Sequence, residues 1–410
     1  MTTILKNIKK TIEVEGDYST KKITSCKING ETIKDGDPKL EITGNKLSLI
    51  EYVEKEKRDF YVNLLQNQYS EIENIVILSG AGSSVEIGKT NKGLIMSGLW
   101  DDFEKEDSAS LSKLITKTGH NKAEKDLEAL LSKSGIYNIV NNDSLKGEIE
   151  KVKAFIVKKC SIDLPDNSPH GKFLNKVTLR PQKYPRVKLF TLNYDTLFEQ
   201  AASEEKFTVI DGFTFSNPRE FNGKYFDYDI IETRHNRQDK KDSTISKLFY
   251  LFKMHGSLDW IKIDNQIIQS DKVPTKTEDR VMIFPQDSKY EHSYEQPYFE
   301  MMARFQQSLR TENTLLISIG FSFVDKHISS VILESLKQNP SLNVLAFSYP
   351  SVIPNGNEYQ NELNTIAENY SHITLVAEKF EDFAKEYPTN KAHKRNDIIE
   401  EIAKALKSKK

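Results

Sequence analysis

Residues 74–84 read Asn-Ile-Val-Ile-Leu-Ser-Gly-Ala-Gly-Ser-Ser, and this stretch decides the fold. Its four consecutive apolar residues, three of them β-branched, predict a strand that is buried on both faces. Gly80 and Gly82 at the strand end allow a tight turn and let a phosphate group approach main-chain N–H groups. A helix that begins near Ser83 or Ser84 would direct its N-terminal dipole at that phosphate. The pattern therefore indicates the first βα turn of a nucleotide-binding, Rossmann-like sheet.

The Gly-rich turn alone does not decide the function. Val85 stands where the third glycine of a G-x-G-x-x-G motif would be, so the motif is incomplete. A tight turn without any ligand would use the same residue types. Whether the turn binds a ligand therefore depends on which other residues of the chain lie beside it.

Composition and charge exclude several classes of protein. The 410 residues, 37% of them hydrophobic, suffice for one large domain or roughly two to three smaller ones. No stretch approaches the ~20 apolar residues of a membrane span, and the N-terminus lacks the apolar core of a signal peptide. The formal net charge of −2 argues against a broad nucleic-acid-binding face. Cys26 and Cys160 are too few for a four-cysteine zinc site, and they indicate a reducing cytoplasm.

Further apolar runs predict an α/β sheet. Such runs are typical of parallel strands, which are buried on both faces, and amphipathic helices fit between several of them. We expect a Rossmann-like, mostly parallel sheet of six or seven strands. Besides the first strand, the predicted strands are Val187–Leu192, Leu248–Met254, Val281–Phe284, Leu315–Ile319, Val344–Phe347 and Ile373–Val376.

The remaining segments suggest a division of the chain into three parts. Residues 1–45 are polar with short alternating runs, and they predict a small N-terminal β appendage outside the sheet. This appendage would serve either as a partner contact or as a structural cover. Residues 46–380 form the main domain, with a helical insertion at about 90–180 whose apolar residues recur at helical spacing. Residues 381–410 predict a C-terminal helical tail.

Four polar clusters follow predicted strands. In doubly wound sheets, ligands bind beyond the carboxyl ends of the strands. We therefore expect the four clusters to converge on one crevice, and this convergence is more informative than any single motif. The clusters are Ser79–Ser84, Thr191–Asp195, Met254–Ser257 and Gly320–Phe323.

Three side chains in these clusters are candidates for catalysis or ligand binding. Asn193 would hold a ribose hydroxyl or a water, because its amide both donates and accepts, or it would be a turn residue. Asp195 would bind a carboxamide, or it would start a helix, because Thr196 and Glu199 after it have capping-box spacing. His255 would take a proton from a hydroxyl or water, or it would be a packed structural histidine.

Taken together, the four clusters resemble the sirtuin family. They occur in sirtuin order and at sirtuin-like spacing over about residues 74–350, and the chain is similar to the sirtuin-like proteins of bacterial anti-phage defence. In sirtuins the Gly-rich loop cradles the pyrophosphate of NAD, the Asn positions the ribose and a water, the following Asp contacts the nicotinamide amide, and the His is the general base. The resemblance implies catalytic roles for Asn193 and His255, and NAD contacts by Gly80, Ala81, Gly82, Ser83, Ser84, Asp195, Gly320 and Ser322, the last two on the adenosine side.

The chain departs from the sirtuin pattern at the zinc module. Zinc-binding sirtuins carry four cysteines after the catalytic His, whereas residues 256–285 contain none and instead predict a hairpin around Asp264-Asn265. The Pro-Asp-Phe-Arg stretch expected after the Gly-rich loop is missing too. Because the zinc module helps to form the acyl-lysine groove, its absence argues against protein deacylation. We expect a protein without bound metal.

The resemblance implies three competing functions. The first is an NAD glycohydrolase that depletes NAD in anti-phage defence and works in the cytoplasm as a homo-oligomer beside a HerA-type ATPase. The second is an NAD-dependent protein deacylase or ADP-ribosyltransferase. The third is a sensor that binds NAD or ADP-ribose without catalysis. Neither membrane binding nor direct nucleic-acid binding is expected.

Overall fold

The computed structural model describes residues 1–42, 44–181, 183–232, 243–245, 247–264, 266–270, 280–282, 296–354 and 356–389. Its strands are β1 (Thr2–Asn7), β2 (Lys10–Asp17), β3 (Lys22–Ile28), β4 (Glu31–Lys34), β5 (Glu41–Ile42), β6 (Asn45–Lys46), β7 (Asn74–Ser79), β8 (Lys188–Thr191), β9 (Thr208–Ile210), β10 (Arg219–Glu220), β11 (Ile231–Glu232), β12 (Ser243–Thr244), β13 (Leu248–Lys253), β14 (Gly256–Ile263), β15 (Gln266–Gln269), β16 (Arg280–Met282), β17 (Thr314–Ile319), β18 (Asn343–Ser348) and β19 (Ile373–Ala377). Its α-helices are α1 (Leu49–Asn63), α2 (Met96–Glu106), α3 (Ser108–Thr118), α4 (Leu127–Val140), α5 (Lys146–Cys160), α6 (Pro169–Val177), α7 (Leu197–Glu204), α8 (Tyr298–Arg310), α9 (Lys326–Gln338), α10 (Glu358–Asn369) and α11 (Phe380–Glu386).

One mixed sheet organises the described part of the chain. Its 11 strands lie in the order β4-β3-β2-β1-β19-β18-β17-β7-β8-β13-β9. The strands from β19 to β9 in this order are parallel to one another. The predicted Rossmann-like, mostly parallel sheet is therefore confirmed. Among its parallel strands, β9 escaped prediction because three residues carry too little periodicity.

The central strand is buried as its sequence predicts. Ile75 and Ile77 pack into the core on one face of the sheet, and Val76 and Leu78 pack into the core on the other. The first core is covered by α1, α6, α7 and α11, and the second by α8, α9 and α10. Helices therefore cover both faces of the sheet, which is the doubly wound arrangement.

The expectation that the N-terminal strands lie outside the sheet is wrong. β1 pairs antiparallel with β19, with Leu5 opposite Val376, and β2 to β4 continue the sheet outward. An open edge on β19 would leave unpaired backbone groups, and β1 covers that edge. Several apolar residues of this segment, among them Ile4 and Ile12, are fully buried in one core with residues of α1. The polar composition concealed these alternating inward positions.

The predicted strand Val281–Phe284 does not belong to the parallel sheet. β16 pairs antiparallel with β14 in a separate sheet of order β10-β15-β14-β16. A short apolar run does not reveal which sheet it joins, so composition alone could not decide this. Residues 283–284 lie outside the described residues. The hairpin predicted around Asp264-Asn265 is present, since β14 and β15 pair antiparallel on either side of it.

A helical layer follows the Gly-rich turn. Helices α2 to α5 enclose a hydrophobic cluster of their own, which contains Trp100, Phe103, Leu130 and Val152. The amphipathic spacing seen in the sequence thus packs helix against helix. At the other end of the chain, α11 lies within the described residues, and residues 390–410 of the predicted tail lie outside them. Among the described helices, none combines the length and the apolar character needed to cross a lipid bilayer.

Candidate active site

The candidate site lies where the strand order reverses. From β7 the chain builds β8 and β13 on one side, and it returns with β17 on the other side of β7. Ser79 at the end of β7 is in register with Ile319 of β17 and Thr191 of β8, and Thr191 is in register with Lys253 of β13. The four strand ends are therefore neighbours. This is the position at which ligands bind in open α/β sheets.

Two glycine turns meet backbone to backbone at this point. A Cβ atom on Gly82 would lie 2.6 Å from the Cα of Gly320, and one on Gly80 would lie 2.8 Å from the Gly320 carbonyl oxygen. Gly320 also has a φ of +61°, which L side chains rarely adopt. The glycines of both turns are thus required by their mutual packing, whether or not a phosphate binds there.

The helix expected to begin near Ser83 or Ser84 is absent. Residues Ala81–Ser83 form a single 3₁₀ turn, Val85 forms a β-bridge with Gly93, and the next α-helix starts only at Met96. Backbone carbonyls already take up the nearby amides, because Gly82 N–H donates to Gly320 at 3.0 Å and Ser83 N–H donates to Gly80 at 3.0 Å. In this conformation the turn offers no helix dipole to a phosphate, and a ligand must displace these hydrogen bonds to use the amides.

The glycine contact gives a stability prediction. Gly320→Ala places a Cβ 2.4 Å from the Cα of Gly82, in addition to the unfavourable positive φ. We expect about 1–2 kcal/mol from the backbone conformation and about 1–3 kcal/mol from the overpacking. Gly119→Ala is the matched control, because Gly119 has a φ of +66° and nothing within 4 Å of its Cβ position. Urea denaturation measures the free energy of unfolding of both variants. Equal losses of stability in Gly320→Ala and Gly119→Ala would contradict tight packing between the turns.

A chain of polar side chains joins the first two clusters. The Asn193 amide donates to the hydroxyl oxygens of Ser83 at 3.1 Å and Ser84 at 2.9 Å. The Ser84 hydroxyl donates to a carboxylate oxygen of Asp195 at 2.7 Å. Ser83 also shares a 2.7 Å hydrogen bond with Ser79, and its hydroxyl donates to the Gly80 carbonyl at 2.9 Å. Residues 110 positions apart in sequence thus form one buried network.

Asp195 takes the helix-start role that the sequence offered, and it also joins the serine network. One carboxylate oxygen accepts from Ser84, and the other accepts from the Leu197 N–H at 3.1 Å, at the start of α7. The capping box predicted for Thr196 and Glu199 does not form, because the Thr196 side chain makes no capping hydrogen bond. Glu199 instead contacts Lys253, so its carboxylate serves a buried cation and not the helix end.

His255 lies on the neighbouring strand end and faces an acid. Its Nε2 is 3.7 Å from a carboxylate oxygen of Asp325, and the two side chains are 15% and 12% exposed. The other oxygen of Asp325 accepts from the N–H groups of His327 and Ile328, and so caps α9. Helix α9 follows the Gly320–Phe323 cluster directly. The third and fourth clusters are therefore brought together through this acid–histidine pair.

The chain is similar to known proteins in sequence and in structure. Residues 187–375 match the family model of the SIR2-like domain. The matched stretch contains Asn193, Asp195 and His255, and it begins after the Gly-rich turn. A solved structure titled "Sir2 bound to acetylated peptide" is similar over 80% of this chain and 96% of that chain, at 13% identity and a TM-score of 0.31. A comparison with curated proteins returned no match.

Tyr194 connects the SIR2-like stretch to the helical layer. It packs with Val157 of α5, with Leu258 of β14 and with Cys160 at the end of α5. Burial raises the pKa of the Cys160 thiol to about 12, with a smaller contribution from the carboxylate of Asp195. The thiol is therefore protonated at neutral pH and does not act as a nucleophile. In the parts of the chain that the structure describes, no group of three or more His, Cys, Asp or Glu side chains is arranged to hold a metal ion.

Sequence reasoning missed two charged residues beside the site, of which Lys253 is the first. Lys253 and Glu199 form an ion pair of 2.9 Å, with side chains 2% and 22% exposed. Asp325 is the other, since it faces His255 from a different cluster. Lys253 could have been noticed in the sequence, because it is a single cation at the end of an apolar strand. Asp325 had none, because an aspartate before a helix ordinarily reads as a cap.

The Lys253–Glu199 pair predicts a pH dependence of stability. Burial raises the pKa of Glu199 from 4.5 to about 7, although the Lys253 ammonium lowers it. The folded state therefore binds more protons than the unfolded state between these values, and stability falls as the pH rises through them. The loss from this group is about 3 kcal/mol, at 1.36 kcal/mol per pKa unit.

The test compares the wild type with Glu199→Gln, which cannot titrate. Free energies of unfolding from urea denaturation at pH 5 to 8 give a difference curve in which the other titrating groups cancel. We expect that difference to fall by about 2.5 kcal/mol from pH 5 to pH 8. A flat difference curve would show that Glu199 titrates at its ordinary pKa in the folded protein.

Proposed function

We propose that this protein is an NAD glycohydrolase that releases nicotinamide and ADP-ribose. The observation that carries the proposal is the network of Ser84, Asn193 and Asp195 at the reversal of strand order, with His255 on the next strand end. The SIR2-like match over residues 187–375 supports the same assignment. As in the defence proteins that the sequence resembles, we propose that the hydrolysis depletes NAD during phage infection.

The side chains suit the ribose and nicotinamide end of NAD. The Asn193 NH₂ group donates to Ser83 and Ser84, so its amide oxygen would accept from a ribose hydroxyl or a water. The Asp195 carboxylate would accept from the nicotinamide carboxamide. The bond between ribose C1′ and the nicotinamide nitrogen breaks, and its electron pair leaves with nicotinamide. The water oxygen then bonds to C1′ of the cationic ribose, and the water proton passes to His255.

The segment after His255 favours hydrolysis over deacylation. Transfer to an acyl-lysine requires a groove for the peptide, and in zinc-binding sirtuins the zinc module helps to form it. Here the β14–β15 hairpin follows His255 at that position in the sequence, and the only two cysteines of the sequence are Cys26 and Cys160. Water needs no such groove. We therefore propose water as the acceptor.

The direct experiment measures nicotinamide released from NAD by the purified full chain, alone and with a HerA-type ATPase. Acyl-peptide is added in a parallel reaction. Nicotinamide and ADP-ribose in equal amounts, independent of peptide, would support the glycohydrolase. Peptide-dependent turnover would favour a deacylase or ADP-ribosyltransferase. Binding of NAD without release, even with the partner present, would favour a sensor.

We also propose that the protein works as a homo-oligomer beside a HerA-type ATPase. An NAD-depleting enzyme must be restrained until infection, and closed oligomers offer surfaces for restraint. Light scattering at micromolar concentration, with and without the ATPase, measures the mass. A monomer under both conditions would contradict this proposal and leave the chemistry of the site unaffected.

Asp325 gives a further prediction for the hydrolysis. Asp325→Asn removes the charge facing His255 and keeps the cap on α9, because Asn caps as well as Asp. We expect kcat to fall about fivefold, the equivalent of roughly 1 kcal/mol for an ion pair of this kind. Asp107→Asn is the matched control, since Asp107 caps α3 in the same way through the Ser110 N–H. Equal kcat for the two variants would show that the Asp325 charge does not act on His255.

A further inference from the structure

Lys253 is a buried cation with no function in the proposed reaction. Its side chain is 2% exposed at the end of β13, two residues before His255. Burying an ammonium without partners costs several kcal/mol, so the partners of Lys253 identify what it is fixed to. Its Nζ donates to the Tyr194 carbonyl at 3.3 Å, to the Asp195 carbonyl, and to the Glu199 carboxylate at 2.9 Å.

All three of these acceptors belong to one segment. Residues 194–199 run from the loop after β8 into the first turn of α7, and they follow directly after Asn193. An ammonium has three donors, and here each donor is matched by an acceptor from this segment. The two carbonyls fix the orientation of the peptide groups around Asp195, and the carboxylate fixes the start of α7. Lys253 is the last residue of β13, and the turn that follows it contains His255.

We propose that Lys253 is a positioning residue that holds the turn at residues 193–195, and with it the side chains of Asn193 and Asp195, in register with His255. This inference rests on the proposed NAD hydrolysis for its effect on rate. A well-packed apolar pair would stabilise a fold as well as a buried ion pair does. Three directed hydrogen bonds to one turn, by contrast, determine an orientation.

The test separates positioning from stability with four variants. Lys253→Met removes the three donors at similar length, and Lys253→Arg retains the charge and donors. Lys253→Met with Glu199→Gln removes both charges, so the buried carboxylate is no longer unpaired. Lys57→Met is the matched control, because Lys57 is fully buried and donates to the Tyr18 hydroxyl at 2.6 Å and the Ala377 carbonyl at 2.8 Å, on other elements.

Nicotinamide release gives kcat and KM, and melting curves give the stability of each variant. We expect the double variant to recover most of the melting temperature lost in Lys253→Met. Its kcat should stay about 10- to 100-fold below that of the wild type, because displacing a reacting group by about 1 Å lowers the rate by such a factor. Lys253→Arg should restore part of kcat, and Lys57→Met should lower the melting temperature alone. Wild-type kcat in the double variant would overturn the proposal.

Hydrogen exchange provides a readout that does not depend on turnover. Peptides covering residues 192–198 should exchange faster in both Lys253→Met variants and at the wild-type rate in Lys57→Met. Unchanged exchange in those peptides would overturn the positioning role even if the wild type hydrolyses NAD. Faster exchange in the Lys253→Met variants of a protein that releases no nicotinamide would mean that the proposed function has failed while Lys253 still holds the turn.

Discussion

We expect His255→Ala to lower the rate of the proposed nicotinamide release by a factor of ~10²–10⁴, the usual contribution of general-base catalysis. The imidazole is the group on the β13 strand end that can take a proton from water near neutral pH. Its loss should leave the side chains proposed to bind NAD in place, so KM should change little. The protein should still fold, because His255 lies at a strand end with its side chain 15% exposed, where Ala is tolerated.

The matched control for this result is His372→Ala. His372 precedes β19 at the amino edge of the parallel sheet, opposite the edge that carries the candidate site. His372 is a partly buried histidine, as His255 is, but it lies at the other edge of the sheet. We expect full activity from it. If a folded His255→Ala protein hydrolysed NAD at the wild-type rate, His255 would have no place in the mechanism.

The core of the fold was predictable because burial leaves a direct trace in sequence. The β7 stretch from Ile75 to Leu78 is apolar without alternation, since each of its faces meets a different core. The N-terminal strands were placed wrongly for the opposite reason. Their inward residues alternate with polar ones, and nothing in residues 1–45 shows that β19 has an edge to be covered. The partner of an edge strand is decided by topology.

The candidate site shows the same contrast. The order of the four clusters was enough to predict that they meet, because strand ends of a parallel sheet share an edge. The partners of individual side chains were not predictable. His255 and Asp325 lie in different clusters, and the Glu199 carboxylate reaches Lys253 and not a helix cap. The helix expected near Ser83 is absent, since the chain forms a single 3₁₀ turn there, and the Gly82 N–H of that turn donates to Gly320.

Asn193→Ala should reduce NAD hydrolysis by a factor similar to that of His255→Ala, through geometry and not through proton transfer. Its amide donates to Ser83 and Ser84, so its position is fixed before a ligand binds. In the proposed reaction, a pre-fixed amide would hold the ribose or the water in attack geometry, and this orientation would lower the barrier. The fold should survive, because each serine hydroxyl keeps another partner, Ser79 for Ser83 and Asp195 for Ser84.

The double variant of Asn193 and His255 decides whether the two act on one transition state. If a single water is held by the amide and deprotonated by the imidazole, removing either group disables the same step. The double variant should then lose less activity than the product of the two single losses. Ser83→Ala is the comparison, and we expect it mainly to raise KM. If the losses multiply in the double variant, the two residues act in separate steps. If a folded Asn193→Ala protein has wild-type activity, the active site does not lie at this edge of the sheet.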